Sequence, residues 1–140
     1  MGYAAMQIYY YNVENKYTPL PTFEKHNSYL THFDFSADGR YAQSNDGAYE
    51  LLFADIATGA HIPAASSLKD VAWSTWTCTL GWPVQGIWPA FADGTDVNAV
   101  DRSPDQRLLA SADDFGKVKL FRCVVCDNWL IFLLCWCVAL

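Results

Sequence analysis

The sequence has 140 residues, of which 52% are hydrophobic and 16% aromatic, a composition that argues against an intrinsically disordered chain. The formal net charge of −6 argues against non-specific binding to nucleic acid or anionic lipid, since both need a surplus of Lys and Arg. The five cysteines are odd in number and four of them follow residue 122, a distribution that favours reduced thiols over a disulfide framework.

The amino-terminal segment, residues 1–25, is predicted to be the end of a blade, the name used here for one small antiparallel β-sheet unit. It lacks the basic start, apolar middle and cleavage site of a secretory signal, so we expect a cytoplasmic protein. Residues 6–13 are rich in Ile and Tyr, which favour β-structure, and they would form the closing strand of that blade.

The next segment occurs twice, because residues 31–44 align with residues 98–111 at a spacing of 67 positions. The shared residues are Asp34 and Asp101, Ser36 and Ser103, Asp38 and Asp105, Arg40 and Arg107, and Ser44 and Ser111. After one inserted residue, the predicted register continues with Asp46 on Asp114, Leu52 on Leu120 and Phe53 on Phe121. Two copies of one structural unit are therefore expected.

Each copy is predicted to be a β-meander. Short strands are separated by turn residues such as Asp38-Gly39 and Pro104-Asp105, and the third strand alternates apolar and polar residues. We predict one blade over residues 26–67 and a second over residues 95–122.

Between the copies lies an aromatic insert, residues 68–94, with Trp73, Trp76, Trp82 and Trp88. Four indole rings carry too much apolar area to remain in water, so we expect extra strands packed on or between the blades. These tryptophans are candidates for core packing or, at the ends of blades, for contact with a partner protein.

The repeated pattern resembles the WD repeat, with Phe53 and Phe121 where many repeats have Trp. His26, Ser44 and Asp46 stand at positions similar to the His, Ser/Thr and Asp of its internal hydrogen-bond network. Ser111 and Asp114 match in the second copy, which has no His before Asn98. The resemblance implies a structural network and not an active site.

Longer blocks carry a more specific resemblance. Residues 70–89, 93–100 and 112–121 resemble the echinoderm microtubule-associated protein-like family. The resemblance implies an all-β fold, a partial WD-repeat β-propeller of about two to three blades built from antiparallel four-stranded sheets. It also implies a non-catalytic scaffold without a cofactor, which binds tubulin or microtubules and other proteins at the cytoskeleton.

The resemblance ends after residue 122, where a hydrophobic, Cys-rich tail, residues 123–140, begins. Its apolar run from Trp129 to Leu140 is shorter than the roughly 20 residues of a membrane-spanning helix. Three interpretations remain open: a membrane-associating tail, a partner-docking or buried final strand, and an abnormal terminus from truncation or aberrant splicing. Because an open stack of blades leaves unpaired faces, self-association is also expected.

No motif for catalysis or for a metal ion is compelling. The tail cysteines, Cys123, Cys126, Cys135 and Cys137, have the wrong spacing in their second pair for a common zinc site. The segment from Asp93 lacks the glycine and glutamate of a calcium-binding loop. His32 and His61 have no nucleophile at a recognisable spacing, so no enzyme, metal or cofactor is predicted.

Overall fold

The computed structural model describes residues 6–88, 95–122 and 138–139. The chain forms two compact units, Met1–Ser74 and Thr75–Leu140, and the boundary between them falls inside the predicted aromatic insert. The four tail cysteines and the turn at Asp93, considered above as zinc and calcium ligands, lie outside the described residues.

The first unit contains a four-stranded antiparallel sheet in chain order. Its strands are β3 (Leu30–Phe35), β4 (Tyr41–Asp46), β5 (Leu51–Asp55) and β6 (Ala60–His61), numbered after two amino-terminal strands. Gly39 lies in the β3–β4 turn with φ of 69°, a left-handed conformation that glycine adopts without a steric penalty. The predicted meander therefore forms, with a fourth strand at one edge.

The amino-terminal segment packs on one face of that sheet. It forms a small hairpin, β1 (Tyr11–Asn12) with β2 (Thr18–Pro19), and a bridge between Ile8 and Phe23. Its buried residues share one hydrophobic core with the sheet, consisting of Tyr10, Phe23, Ala42, Ala54 and Ile56.

The second unit repeats the sheet. Its strands are β7 (Val97–Arg102), β8 (Leu108–Asp113), β9 (Val118–Arg122) and β10 (Val138–Ala139). The fourth strand thus comes from the predicted tail, because Val138 and Ala139 pair with Arg122 and Phe121. Its core contains Val84, Ile87, Val100, Leu109 and Phe121.

The expectation of extra strands in the aromatic insert is wrong for the described residues. Residues 68–88 form no strand; the short 3-10 helix Trp82–Ile87 occurs instead, and another, Ala65–Leu68, ends at the first residue of the insert. Pro83 lies in the first turn of the second helix, where its missing N–H costs nothing, and its fixed φ suits a helical start. Trp73 alone makes a strand-like contact, an isolated bridge to Ser36.

The predicted inserted residue in the second copy is also wrong. Leu30 pairs with Asp46 in the first sheet and Val97 pairs with Asp113 in the second, so the spacing of 67 persists through β4 and β8. Pairing of Asn45 with Leu51 and of Ala112 with Val118 continues it into the third strand. By this register Leu120, and not Phe121, is the equivalent of Phe53.

The predicted all-β class is confirmed. Apart from the two 3-10 helices, the regular structure of the described residues consists of antiparallel strands, in two four-stranded sheets and one hairpin, as a partial propeller requires. None of the helices in the described part of the chain has the length and apolar character needed to cross a bilayer.

Candidate functional site

The first candidate site is a buried network centred on His26. Its Nδ1 lies 3.0 Å from Asp46 Oδ2, and its Nε2 lies 2.6 Å from Ser44 Oγ. Ser44 and Asp46 are on β4, whereas His26 precedes β3 and its ring packs edge-on against Phe23. The structure therefore brings together the three residues that the sequence selected in the first copy.

Asp46 also holds the turn that follows β4. Its Oδ1 accepts hydrogen bonds of 3.0 Å from the backbone N–H groups of Ala48 and Glu50. Burial alone would raise the pKa of Asp46, but the bonds from His26 and from these N–H groups outweigh it and lower the pKa below 3.8. The carboxylate is therefore ionised and fully engaged.

The His26 contacts have the connectivity of a catalytic Ser-His-Asp triad. Ser44 could act as a nucleophile only if a substrate could reach it. Ser44 is 2% exposed, and the side chains of His26 and Asp46 are fully buried. A substrate carbonyl needs room about 3 Å from a nucleophile. No such room exists at Ser44, and the arrangement serves to link β4 with the chain before β3.

One acidic neighbour adds a possible ligand set. His26, Asp46 and Glu50 each place one ligand atom within 4.8 Å of the others. The two carboxylates already have partners, because Asp46 accepts backbone N–H groups and Asn27 Nδ2 lies 3.2 Å and 3.3 Å from the Glu50 oxygens. A metal ion would have to displace these bonds, so the geometry favours a hydrogen-bond network.

In the second copy Asp113, and not the predicted Asp114, is the equivalent of Asp46. Asp113 Oδ1 accepts the backbone N–H groups of Phe115 and Lys117 at 3.1 Å and 3.0 Å, the same offsets as in the first copy. Asp114 is exposed and accepts from Asn98 instead. The assignment of Asp114 was wrong because it assumed an inserted residue.

Lys119 takes the place of the histidine in the second copy. Its Nζ lies 3.1 Å from Asp113 Oδ2, and its side chain is 39% exposed. The backbone bond from Lys117 and the Lys119 ammonium lower the pKa of Asp113, against a smaller opposing effect of burial. Ser111, the predicted equivalent of Ser44, is buried on β8.

A second repeated feature anchors the hairpins. Asp38 Oδ1 accepts the Ser36 hydroxyl at 2.6 Å and the Arg40 N–H at 3.0 Å, and Ser36 Oγ accepts the Tyr41 N–H. The second copy repeats each contact with Ser103, Asp105, Arg107 and Leu108. These bonds lower the pKa of Asp38 and of Asp105. Both aspartates therefore stabilise hairpin turns.

The four insert tryptophans have different environments. Trp73 is 3% exposed and packs against Phe53, with ring centroids 6.1 Å apart, so it belongs to the core of the first unit. Trp76 and Trp82 are half-buried, and the Arg102 guanidinium lies 4.0 Å from the Trp76 ring centre. Trp88 is 37% exposed, which leaves it available to a partner.

Comparison with known proteins gives one consistent result. The family described as the echinoderm microtubule-associated protein second beta-propeller matches residues 1–128. The 77 kDa echinoderm microtubule-associated protein of Strongylocentrotus purpuratus is 51% identical over 118 residues, which cover 82% of this chain and 17% of that protein.

Two vertebrate relatives agree. Echinoderm microtubule-associated protein-like 2 of Rattus norvegicus is 47% identical over 86% of this chain and 19% of its own length. Echinoderm microtubule-associated protein-like 4 of Homo sapiens is 48% identical over 82% of this chain and 12% of its own length. The chain thus spans less than a fifth of these relatives, and it belongs to the echinoderm microtubule-associated protein family.

Proposed function

We propose that this chain is a non-catalytic propeller segment that binds tubulin in the microtubule lattice and acts at the cytoplasmic cytoskeleton. The observation that carries the proposal is the match of residues 1–128, with about half the residues identical to proteins named for microtubule association. The buried network supports the non-catalytic part, because its reactive groups hold the blade together.

The contact with tubulin is expected to be aromatic. A net charge of −6 gives no polycationic surface for the lattice, so affinity must come from apolar and hydrogen-bonding contacts. Trp residues are enriched at the energetic centres of protein interfaces, and Trp88 is the most exposed of the predicted tryptophans. Its Nε1 donates to the Thr79 carbonyl at 2.9 Å, which fixes the ring.

Co-sedimentation with polymerised microtubules tests the proposal. The full chain should pellet with microtubules and remain in the supernatant without them. Trp88→Ala should reduce the bound fraction several-fold, whereas Tyr17→Ala, which truncates another exposed aromatic residue, should not. Equal recovery with and without microtubules would contradict microtubule binding, and an effect of Tyr17→Ala equal to that of Trp88→Ala would contradict the assigned contact.

The non-catalytic part needs its own measurement. The unaltered chain should hydrolyse p-nitrophenyl acetate no faster than buffer alone. Ser44→Ala should not change this rate, although the variant should melt at a lower temperature. Turnover by the unaltered chain that disappears in Ser44→Ala would show that the triad-like network is reactive.

A further inference from the structure

The second sheet has a buried face and a face that is open to solvent. The core residues Val100, Leu109 and Phe121 share one face of strands β7, β8 and β9. Successive residues of a strand point to opposite sides, so their neighbours lie on the other face. This face, called the open face here, contains two rows of residues paired across the three strands: Ala99, Ala112 and Val118, and Asp101, Ala110 and Leu120.

The equivalent face of the first sheet is covered. Phe53 is 1% exposed, and its ring centre lies 6.1 Å from that of the buried Trp73. Leu120, its equivalent in the second repeat, is 42% exposed, and Val118 on the same strand is 75% exposed. A contiguous apolar patch on a folded sheet marks an interaction surface, so the open face is expected to bind a partner.

We propose that the open face binds the open face of a second copy of this chain, in a two-fold symmetric dimer whose axis runs parallel to β8. This axis lays β9 of each copy over β7 of the other. The large side chains of Val118 and Leu120 then lie over the row positions of Ala99 and Asp101 on the second copy. Large side chains thus face small or flexible ones, and alanines on the central strand let the two sheets approach closely.

The charges on the open face complement each other in the same arrangement. Arg122 pairs with Leu108 and therefore lies on the open face, two residues beyond Leu120. Asp101 of the second copy lies over Leu120, so it is about 7 Å along the strand from Arg122, within reach of an arginine side chain. The symmetry forms this ion pair twice. An axis perpendicular to the strands through the same row would instead place Asp101 over Asp101, which like charges oppose.

The size of the open face sets the expected affinity. Its eight residues, counting Leu108 and Arg122, are fewer than the roughly 20–30 residues on each side of a standard protein interface. We therefore expect a weak dimer, with a dissociation constant on the order of 10–100 μM. The dimer is independent of the proposed tubulin contact, because Trp88 lies outside the open face, so the two proposals can fail separately.

Analytical ultracentrifugation of the full chain, from about 1 to 200 μM, tests the proposal. We expect a monomer–dimer equilibrium that Val118→Glu weakens at least tenfold, because it places a carboxylate inside the apolar contact. Val13→Glu makes the same change at a similarly exposed valine of the first unit and should leave the dimer unchanged. Melting curves at the lowest concentration check that both variants fold.

A charge exchange tests the symmetry. Asp101→Arg and Arg122→Asp should each weaken the dimer several-fold, because each variant brings like charges together twice. An equal mixture of the two variants should restore association, since every pair in the mixed dimer then joins opposite charges. Failure of the mixture to restore it would overturn the proposed arrangement.

Three further results would overturn the proposal. One is a monomer at every concentration, which is also the result expected if residues 123–137 of the same copy cover the open face. Another is assembly beyond two copies, because a two-fold contact closes at the dimer. The last is association of Val118→Glu as tight as that of the unaltered chain.

Discussion

The two repeats anchor the same turn with the same carboxylate but complete it differently. In the first repeat the second oxygen of Asp46 bonds to a buried histidine, and in the second repeat that of Asp113 meets a half-exposed lysine. Both carboxylates accept backbone N–H groups two and four residues ahead. The turn contacts are thus common to both repeats, whereas the side chain that pairs with the second carboxylate oxygen differs.

The exchange alters how each repeat is stabilised. His26 forms two buried hydrogen bonds and joins Ser44 and Asp46 into one network that water does not reach. Lys119 forms one ion pair from the inner strand β9, and its ammonium is partly open to solvent although the Asp113 side chain is buried. The first repeat should therefore respond strongly to substitution, and the second to salt.

Asp46→Ala should have the largest effect. It leaves two part-buried backbone N–H groups and the buried Nδ1 of His26 without their acceptor, at a cost of about 3 kcal/mol in the free energy of unfolding. Urea denaturation followed by tryptophan fluorescence measures the loss. Asp114→Ala is the matched control at the exposed neighbouring aspartate of the second repeat, and it should change stability little.

His26→Ala should come next, with a loss of about 2 kcal/mol, because Ser44 and one Asp46 oxygen lose their partner while the turn bonds remain. His32→Ala is the control, since His32 lies on β3 outside the network. If both histidine variants unfold at the same urea concentration, the buried network is not what distinguishes the first repeat.

The sequence predicted the network residues of the first repeat, but it did not predict all of those in the second. The three network residues of the first repeat were found because His, Ser and Asp stand at WD-repeat spacing, and the structure brings all three together. In the second repeat Asp113 and Asp114 are adjacent, and either could anchor a turn. Aligning Phe53 with Phe121 selected the wrong one, because a shared residue type was given more weight than constant spacing.

Other features could not be read from residue types. Lys119 alternates with apolar neighbours on β9, as a lysine on a solvent-exposed sheet face does, so its contact with Asp113 could not be predicted from this pattern. The insert was predicted to contain strands because its tryptophans need burial. Burial is also possible from short helices and loops, and Trp73 reaches the core through one bridge.

Acid should remove part of the stability of the first repeat. The pKa of Asp46 in the folded chain lies below 3.8, so the unfolded chain takes up the proton first as the pH falls. The contribution is complete well above pH 4 and is lost as the pH drops through the folded pKa. Asp46→Asn should flatten this part of the pH profile in urea denaturation, and an unchanged profile would contradict the assigned ionisation.

A strained residue in the first repeat gives a smaller effect. Tyr49 has φ of 61°, and by the constant spacing its equivalent in the second repeat is Gly116, with φ of 70°. Gly116→Ala should cost about 1 kcal/mol from backbone strain alone, because the position is otherwise open. Tyr49→Gly should not lower the melting temperature, whereas Tyr29→Gly, on an ordinary backbone, should.

Lys119→Met should have the smallest effect, lowering the melting temperature by about 2 °C or less, because water can replace a half-exposed ammonium beside Asp113. This small loss should shrink in 1 M NaCl, where the Debye length is about 3 Å and the half-exposed ammonium is screened in the unaltered chain as well. The loss in His26→Ala should persist at that salt concentration, since ions do not reach the buried histidine. Equal salt sensitivity of the two variants would mean that both partners act through long-range charge, and the contrast between a buried network and a half-exposed ion pair would have to be given up.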